Sequence, residues 1–164
     1  MEIIDNKIKY YTFGKLTASF TGLGEILSIV CGEHIGSGSF RDVYEYSLDP
    51  KYVVKVINAT STPQSNINEF QLYNEIRGLC GPLEWVKDWF APIKWISQGG
   101  YVLLQRKTKP FHNKLSMPEK VPSFFFDVKA DNFGWIGDKF VCHDYGILYG
   151  FIEYRKRFKK ADWS

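Results

Sequence analysis

Short runs in which apolar and polar residues alternate recur along the chain and predict β-strands. One run, which contains Val43, Tyr44 and Tyr46, follows a glycine-rich turn, and a further strand precedes that turn. The next run, at 52–57, consists of β-branched and aromatic residues with a single lysine inside it. Further strands are predicted at 8–13, at 93–96 and 101–105 as one hairpin, and at 133–136 and 139–142 as another.

Helical spacing of apolar residues is confined to fewer segments. Gly22 and Gly24 interrupt the first of these segments, and Gly81-Pro82 ends the longest. Helices are predicted at 18–30, 66–79 and 83–90, and from Leu148 onward.

The order of these elements indicates the fold class. Strands around a glycine turn are followed by one main helix, a hairpin, a loop and a final hairpin. The loop contains Pro110, Pro118 and Pro122, which disfavour a long helix there. Neighbouring strands joined by short turns pair antiparallel, so the sequence predicts an α+β fold rather than one built from βαβ crossovers.

The composition fits one compact domain or one domain in two lobes. The chain has 164 residues, of which 45% are hydrophobic and 17% aromatic, which is enough for a core and argues against intrinsic disorder. No apolar run reaches the roughly 18 residues of a transmembrane helix. The first residues contain no basic region typical of a secretory signal. We therefore expect no membrane partner and a cytoplasmic location.

Positive charge is concentrated near the C-terminus. The formal net charge is only +3, but residues 155–160 include five lysines and arginines. A solvated face is the expected role of this segment, and binding of a phosphate backbone or an acidic partner is the alternative. No zinc-finger, RNP or helix-turn-helix motif accompanies it, which argues against nucleic acid as a partner.

The cysteines do not indicate a disulfide framework. Cys31, Cys80 and Cys142 are odd in number and scattered, which fits a reducing compartment. Zinc ligation by Cys31 with His34, or by Cys142 with His143, is disfavoured because paired CxxC spacing is absent. We expect the three cysteines to be buried and to pack as small hydrophobic residues.

Four features that carry chemistry follow one another along the chain, and three of them lie in its first half. Gly36-x-Gly38 lies between two predicted strands, where glycines let backbone N–H groups approach phosphate oxygens. Lys55 lies inside an apolar strand, where a buried ammonium needs an anion. Glu69, on the following helix, is a candidate partner for that lysine.

The fourth feature is a group of acidic and amide residues. Asp127, Asn132 and Asp144 carry oxygen donors of the kind that Mg²⁺ takes. The hairpin that joins Asn132 to Asp144 could bring them onto one face, with Asp127 as the acceptor of a proton from an attacking hydroxyl. A lysine for phosphates, oxygen ligands for a metal and a carboxylate base are the parts that phosphoryl transfer needs.

In this order and spacing, the motifs resemble those of protein kinases. GSGSFRDV at 36–43 resembles the glycine-rich loop, VVK at 53–55 the strand with the lysine, and NEFQLY at 68–73 the helix with its glutamate partner. Residues 101–107 resemble the strand and hinge, DVKADN at 127–132 the catalytic loop, and DYG at 144–146 the D-F-G motif. The resemblance covers 34–149 and extends to small kinase-like proteins that some bacteriophages encode.

The resemblance assigns nucleotide-binding roles. Lys55 would hold the α- and β-phosphates of ATP and pair with Glu69, with Glu75 as the alternative partner. Leu104 would stand at the gatekeeper position before a hinge at 105–107. Val43, Val53 and Leu104 would form the adenine wall. The implied nucleotide-binding residues are Gly36, Ser37, Gly38, Ser39, Phe40, Val43, Val53, Lys55, Leu104, Gln105 and Lys107.

The resemblance also assigns catalytic and metal-binding roles. Asn132 and Asp144 would bind Mg²⁺, Asp127 would be the catalytic base, and Lys129 would steady the γ-phosphate. Lys55 and Glu69 complete the implied catalytic set. The implied activity is an ATP- and Mg²⁺-dependent phosphotransfer to a protein hydroxyl, with the chain itself as one candidate acceptor. The alternative is a catalytically weak or inactive nucleotide-binding module that acts by binding a host protein.

The chain departs from the kinase pattern in several places. Arg41 stands at the third glycine, Phe125 and Phe126 replace the catalytic-loop His and Arg, and Tyr145 replaces the D-F-G phenylalanine. Only 18 residues follow Gly146, so the resemblance implies a strongly truncated C-lobe. The expected organisation is an N-terminal extension at 1–33, a kinase N-lobe-like part at 34–107 with an antiparallel sheet and one main helix, and a reduced C-lobe at 108–164.

Overall fold

The computed structural model describes residues 27–58, 61–110, 117–150 and 152–163. The described residues divide into two compact units, one from Met1–Ile67 and Ile93–Arg106, the other from Asn68–Pro92 and Lys107–Ser164. The strand predicted at 8–13 lies outside the described residues, as does most of the helix predicted at 18–30, of which residues 27–30 are described and helical. The organisation into 1–33, 34–107 and 108–164 stays a prediction.

The first unit is built on a five-stranded antiparallel sheet with the strand order β1-β2-β3-β5-β4. This confirms the α+β class and the antiparallel pairing predicted from short turns. The sequence also located β3 and β4 to the residue, because both are apolar runs bounded by turn residues. The strands are β1 Cys31–Ser37, β2 Arg41–Tyr46, β3 Tyr52–Ile57, β4 Ile93–Ile96 and β5 Val102–Arg106.

The register of β3 decides which side chains share a face of the sheet. Lys55 lies opposite Val43 on β2 and opposite Leu103 on β5, whereas Val54 lies opposite Leu104. Successive side chains of a strand point to opposite faces, and directly opposed residues share a face. Val54 and Leu104 belong to one hydrophobic cluster. Lys55, Val43 and Leu103 therefore occupy the other face.

One long helix, α1, follows the sheet's first three strands. It spans Gln64–Gly78 and has 15 residues, close to the predicted 66–79. Its buried residues recur every three or four positions, as expected for one helix face, and they are Asn66, Glu69, Leu72 and Ile76. Within the described ranges, no helix is both long and apolar enough to cross a membrane.

The second unit has two short antiparallel ladders. The hairpin of β7, Phe133–Ile136, and β8, Lys139–Cys142, has the predicted bounds, and its turn uses Gly137 at φ +63°. The other ladder joins β6, Lys120–Pro122, to β9, Phe158–Lys160, and the sequence did not indicate it. The predicted helix at 83–90 is a 3₁₀ helix, Gly81–Trp89.

Aromatic rings form the core of this unit. Phe90, Phe125, Phe133 and Tyr145 are all buried. The Tyr145 ring packs edge-on against Phe90 at 5.0 Å, and its hydroxyl donates to the Ala91 carbonyl at 2.8 Å. The D-Y-G tyrosine is therefore an anchor that fixes the chain next to Asp144.

The helix predicted from Leu148 onward is wrong. Gly146–Leu148 is a single 3₁₀ turn, residues 152–157 are irregular, and the tail continues as β9. Tertiary packing overrides the local preference here. Phe158 lies 5.7 Å from Trp85, and Trp163 lies 5.3 Å from Phe133. These contacts stabilise an extended tail that places its aromatic residues against the core.

Candidate functional site

Asp127, Lys129 and Asn132 form a hydrogen-bonded group in the second unit. Asn132 Nδ2 donates to Asp127 Oδ2 at 3.0 Å and to the Asp127 carbonyl at 3.3 Å, while Lys129 Nζ lies 3.2 Å from Asp127 Oδ1. Each carboxylate oxygen thus has its own partner. The Asp127 side chain remains 32% exposed, so solvent reaches it.

Local geometry brings the three residues together. The chain turns through the 3₁₀ helix Ala130–Asn132, whose first turn is closed by the Asn132 N–H donating to the Lys129 carbonyl at 3.0 Å. Strand β7 begins directly afterwards. The D-x-K-x-x-N segment thus brings the lysine and the asparagine to the two oxygens of one carboxylate.

The β7–β8 hairpin returns the chain to the same place. The His143 N–H donates to the Asn132 carbonyl at 2.8 Å. Asp144 is the next residue, and it is exposed. The structure therefore brings the chain just before Asp144 next to Asn132, and the expectation that the two side chains share one face stays a prediction.

His143 is a positioning residue that the sequence analysis missed. Its Nε2 lies 2.9 Å from the Asp131 carbonyl, and its Nδ1 lies 3.0 Å from Thr108 Oγ1. Because a carbonyl only accepts, Nε2 carries the proton in this arrangement. Both ring nitrogens of His143 thus have partners, which fixes the position of this residue directly before Asp144. No sequence motif links Thr108 to a histidine 35 residues away.

The donor set at this place suits Mg²⁺ held together with a nucleotide. Both Asn132 hydrogen bonds use the amide nitrogen, so the amide oxygen is its atom for a metal. The described ranges contain no group of three or more His, Cys, Asp or Glu side chains suited to holding a metal. Mg²⁺ bound with substrate phosphates needs only one or two protein carboxylates, because water and phosphate supply the other ligands. Asn132 and Asp144 fit that requirement.

The glycine-rich segment of the first unit is the turn between β1 and β2. The Gly38 N–H donates to the Arg41 carbonyl at 2.8 Å and closes the turn. Asn58 fixes its far side, since its backbone N–H donates to the Phe40 carbonyl at 3.0 Å and its Nδ2 to the Ser39 carbonyl at 3.3 Å. Ser37 Oγ donates to Asp42 Oδ1 at 2.6 Å. The Ser37 hydroxyl and the Gly38 N–H therefore make hydrogen bonds within the β1–β2 turn and its flanking residues.

The fold itself does not require glycine at Gly36 or Gly38. A Cβ atom at Gly36 would meet nothing within 4 Å, and one at Gly38 would make an ordinary contact of 3.7 Å with the Arg41 carbonyl. Neither residue has a positive φ. Gly100 differs, because its φ is +76° and a Cβ there would lie 2.7 Å from Ile67 Cγ1. Glycine at the first two positions fits close approach of a ligand better than a demand of the turn.

Arg41, which stands at the third-glycine position, belongs to the core of the first unit. The residue is buried, and its Nη1 donates to Asn66 Oδ1 at 3.1 Å. Asn66 is 0% exposed, and its Nδ2 donates to the Gly100 carbonyl at 2.9 Å and to the Lys55 carbonyl at 3.4 Å. Arg41 is therefore tied by one buried amide to the strand that carries Lys55.

Lys55 and Glu69 are both buried, with exposures of 3% and 0%. Neither side chain is without a partner. Glu75 is exposed, and it contributes with burial to raising the pKa of the Tyr154 hydroxyl. A buried carboxylate needs a compensating group, whereas an exposed one does not. The pairing of Lys55 with Glu69 stays a prediction.

The adenine wall predicted from the sequence needs one correction. Leu104 packs with Val54 on the face of the sheet away from Lys55. Leu103 lies directly opposite Lys55, and Gln105 lies opposite Val53. A wall on the Lys55 face together with Val43 and Val53 would therefore contain Leu103 and not Leu104, and the gatekeeper role itself stays a prediction. The error arose because sequence alone did not fix the register of β5, and a shift of one residue exchanges the faces.

Two of the other predicted nucleotide-binding residues lie on the same face of the sheet as Lys55. Val43 shares the Lys55 face through the β2–β3 register, and Val53 does so by alternation along β3. Gln105 is buried within β5, and Lys107 follows that strand. Their contacts with adenine stay predictions.

The cysteines are free, and the zinc alternative finds no support among the described residues. Cys142 is buried, as predicted, but Cys31 is half-buried and Cys80 is exposed. Burial raises the pKa of the Cys31 thiol. His34 Nε2 instead lies 3.1 Å from Ser37 Oγ, and both residues belong to β1.

No protein-family model matches the sequence, and neither does any curated protein.

Proposed function

We propose that the protein is an ATP- and Mg²⁺-dependent phosphotransferase of the protein-kinase-like superfamily, which transfers the γ-phosphoryl group to a protein hydroxyl. The observation that carries this proposal is the arrangement around Asp127. Lys129 and Asn132 both contact the Asp127 carboxylate, and the His143–Asn132 backbone hydrogen bond returns the chain to Asn132 one residue before Asp144. A base, a cation for phosphate and two metal ligands in one place are the requirements of phosphoryl transfer.

The first unit supports nucleotide binding by independent features. Lys55 is buried in the central strand of the sheet, on the same face as Val43 and Leu103. In the proposal its ammonium holds the α- and β-phosphates, and the two apolar residues contact adenine. Gly36 and Gly38 allow close approach of the triphosphate, since the fold has no steric use for glycine at either position.

Each group in the second unit has one task in the proposed reaction. Asp127 accepts the proton of the acceptor hydroxyl, whose oxygen forms a bond to the γ-phosphorus as the bond to the leaving ADP oxygen breaks. Lys129 offsets negative charge on the γ-phosphate. Mg²⁺ held by Asn132 and Asp144 would neutralise charge on the phosphate oxygens. The proposed fold is kinase-like, with the five-stranded sheet in the role of the N-lobe sheet.

The non-catalytic alternative receives less support. An exposed aromatic pair at Trp85 and Trp89 would favour a module that works by binding a host protein. Both indoles are half-buried and pack against Phe158, at 5.7 Å and 6.1 Å. The two indoles therefore pack within the aromatic cluster of the second unit.

The experiment that tests the proposed function is phosphoryl transfer from γ-labelled ATP. Purified protein is incubated with Mg²⁺ and labelled ATP, with and without a cell lysate, and label on protein and released phosphate are both followed. Asp144→Ala is expected to lower the combined signal at least about a hundredfold, because a metal ligand is lost. Asp138→Ala, in the exposed turn of the same hairpin, is the matched control and is expected to retain the parent rate. Equal rates for Asp144→Ala and the parent would remove Asp144 from the mechanism, and no signal from the parent would overturn the proposed function.

A binding measurement tests the role of Lys55. Lys55→Met keeps most of the apolar stem inside β3 and removes the ammonium, so we expect the Kd for Mg·ATP to rise at least about tenfold. Lys51→Met, at an exposed lysine just before the same strand, is expected to change it less than about twofold. Titration calorimetry gives both values, and an unchanged Kd for Lys55→Met would show that Lys55 does not contact the nucleotide.

A further inference from the structure

A cleft in the second unit opens beside Asp127. Its volume is about 260 Å³, and two segments distant in sequence line it. One segment is the loop 126–129, which contains Asp127 and Lys129. The other is the basic tail, which contributes Lys159, Lys160 and Asp162. The proposed chemistry uses the loop residues and leaves the tail lysines without a role.

The tail wall of this cleft is held in place by backbone hydrogen bonds. Strand β9 pairs with β6 so that Lys159 lies opposite Val121. The Ser123 N–H donates to the Arg157 carbonyl and the Ala161 N–H to the Glu119 carbonyl, both at 2.9 Å. Beyond the ladder, the Trp163 indole N–H donates to the Pro118 carbonyl at 3.0 Å. The tail lysines are therefore part of a fixed surface and not of a loose arm.

The charges of the cleft separate into two groups. Lys129 pairs with Asp127 at 3.2 Å, which nearly balances the charge of the loop side. The tail side carries two ammonium groups against the single carboxylate of Asp162. The excess positive charge of the cleft thus lies on the tail wall, at residues that the proposed chemistry of Asp127 and Lys129 does not use.

We propose that this cleft binds the phosphate acceptor, and that the acceptor is a peptide segment in which Asp or Glu flanks the reactive Ser or Thr. This inference rests on the proposed function. The acceptor hydroxyl must come within about 2.6–3.2 Å of Asp127. Neighbouring residues of an extended peptide follow at about 3.3 Å each, so side chains one to three positions away reach the tail wall. A carboxylate there meets Lys159 and Lys160.

The mixed charge of the cleft favours such a peptide over a nucleic acid. A nucleic-acid strand presents a phosphate at every nucleotide, and Asp127 and Asp162 would repel a continuous run of negative charge. A peptide with a neutral hydroxyl between two acidic side chains instead places no charge at Asp127. Phe126, which is exposed at the rim, adds apolar contact for the peptide backbone.

The experiment compares two labelled peptides with three forms of the full chain. The probe is a fluorescein-labelled Glu-Glu-Ser-Glu-Glu peptide, and the reference is Gln-Gln-Ser-Gln-Gln, which has the same shape without the charge. The test variant is Lys159→Gln with Lys160→Gln. The matched control is Arg155→Gln with Lys156→Gln, two exposed residues of the same tail that do not line the cleft. Fluorescence anisotropy at low salt reports binding, which needs no turnover.

We expect the parent to bind the glutamate peptide at least about fivefold more tightly than the glutamine peptide, and the test variant to lose most of that preference. The control variant is expected to keep it, and added salt to weaken it. Equal affinities of the parent for the two peptides would overturn the proposal, as would equal losses in the test and control variants. A single-stranded oligonucleotide that displaces the glutamate peptide at lower concentration than unlabelled peptide would overturn it in favour of nucleic acid.

Phosphoryl transfer to the same peptides separates this proposal from the proposed function. We expect the parent to transfer phosphate faster to the glutamate peptide than to the glutamine peptide. The test variant is expected to transfer it to both peptides at the same rate. Transfer that occurs but ignores peptide charge would overturn the acceptor proposal and leave the proposed function standing. Charge-dependent binding with no transfer to any acceptor would overturn the proposed function, and with it the assignment of the bound peptide as the acceptor.

Discussion

Asp127→Asn is expected to lower phosphoryl transfer at least about a hundredfold while changing the affinity for Mg·ATP less than about threefold. A positioned general base contributes about 10²- to 10⁴-fold to a rate. Asparagine has the shape of aspartate and keeps an oxygen that can accept the Asn132 amide hydrogen bond. What it loses is the basic oxygen that takes the proton and the negative charge that pairs with Lys129.

The measurement uses γ-labelled ATP under single-turnover conditions, with nucleotide affinity measured separately by calorimetry. Asp131→Asn is the matched control. Asp131 lies in the same loop and is exposed, and His143 uses its backbone carbonyl, not its side chain. We expect the control to transfer phosphate within about twofold of the parent. If the parent transfers phosphate and Asp127→Asn transfers it as fast as the Asp131→Asn control, Asp127 is not the base.

The sequence predicted most of the fold because short-range signals dominate it. Strands β3, β4, β7 and β8 are apolar runs bounded by turn residues, and their bounds were predicted to the residue. The tail could not be predicted in this way. Its strand exists because Phe158 and Trp163 find aromatic partners more than 20 residues away along the chain. The spacing of apolar residues within a short segment of sequence contains no information about such distant partners.

In the candidate site, too, the features set by nearby residues could be predicted and those set by long-range pairing could not. Asp127, Lys129 and Asn132 are close in sequence, so their motif also describes their geometry, and a tight hairpin adds Asp144. Leu104 was placed on the wrong face because the assignment depended on the register between β3 and β5. Likewise, the Thr108–His143 contact and the lysine wall of the cleft depend on long-range pairing that no motif records.

Arg41 shows how a departure from a motif can be understood only in three dimensions. In the sequence it replaces the third glycine and weakens the likeness to a phosphate-binding loop. In the structure it lies in the core and reaches Asn66, the residue that also holds the Lys55 and Gly100 carbonyls. The buried Arg41 side chain thus anchors the turn at the start of β2. At the other end of the turn, Gly36 and Gly38 carry no side chain that would fill the neighbouring space. In the proposed function, this division explains how the third glycine can be replaced by Arg41 without filling the space near Gly36 and Gly38.

Asn66→Ala is accordingly expected to destabilise the first unit by about 3 kcal/mol. Each of three hydrogen bonds contributes about 1 kcal/mol, and a buried group left without its partner adds to the loss. The three contacts are to Arg41 Nη1, the Gly100 carbonyl and the Lys55 carbonyl, at 3.1, 2.9 and 3.4 Å. For a chain of this length, the change corresponds to a fall in Tm of about 6–12 °C.

The control is Gln71→Ala, an exposed position of the same helix, which is expected to change stability by less than about 0.5 kcal/mol. Hydrogen exchange followed by mass spectrometry locates the effect. Amides of β3 and β5 should exchange faster in Asn66→Ala, whereas those of the β7–β8 hairpin should keep their protection, because the network lies within the first unit. A loss below about 1 kcal/mol, or equal loosening of both units, would show that the buried amide does not anchor the strand that carries Lys55.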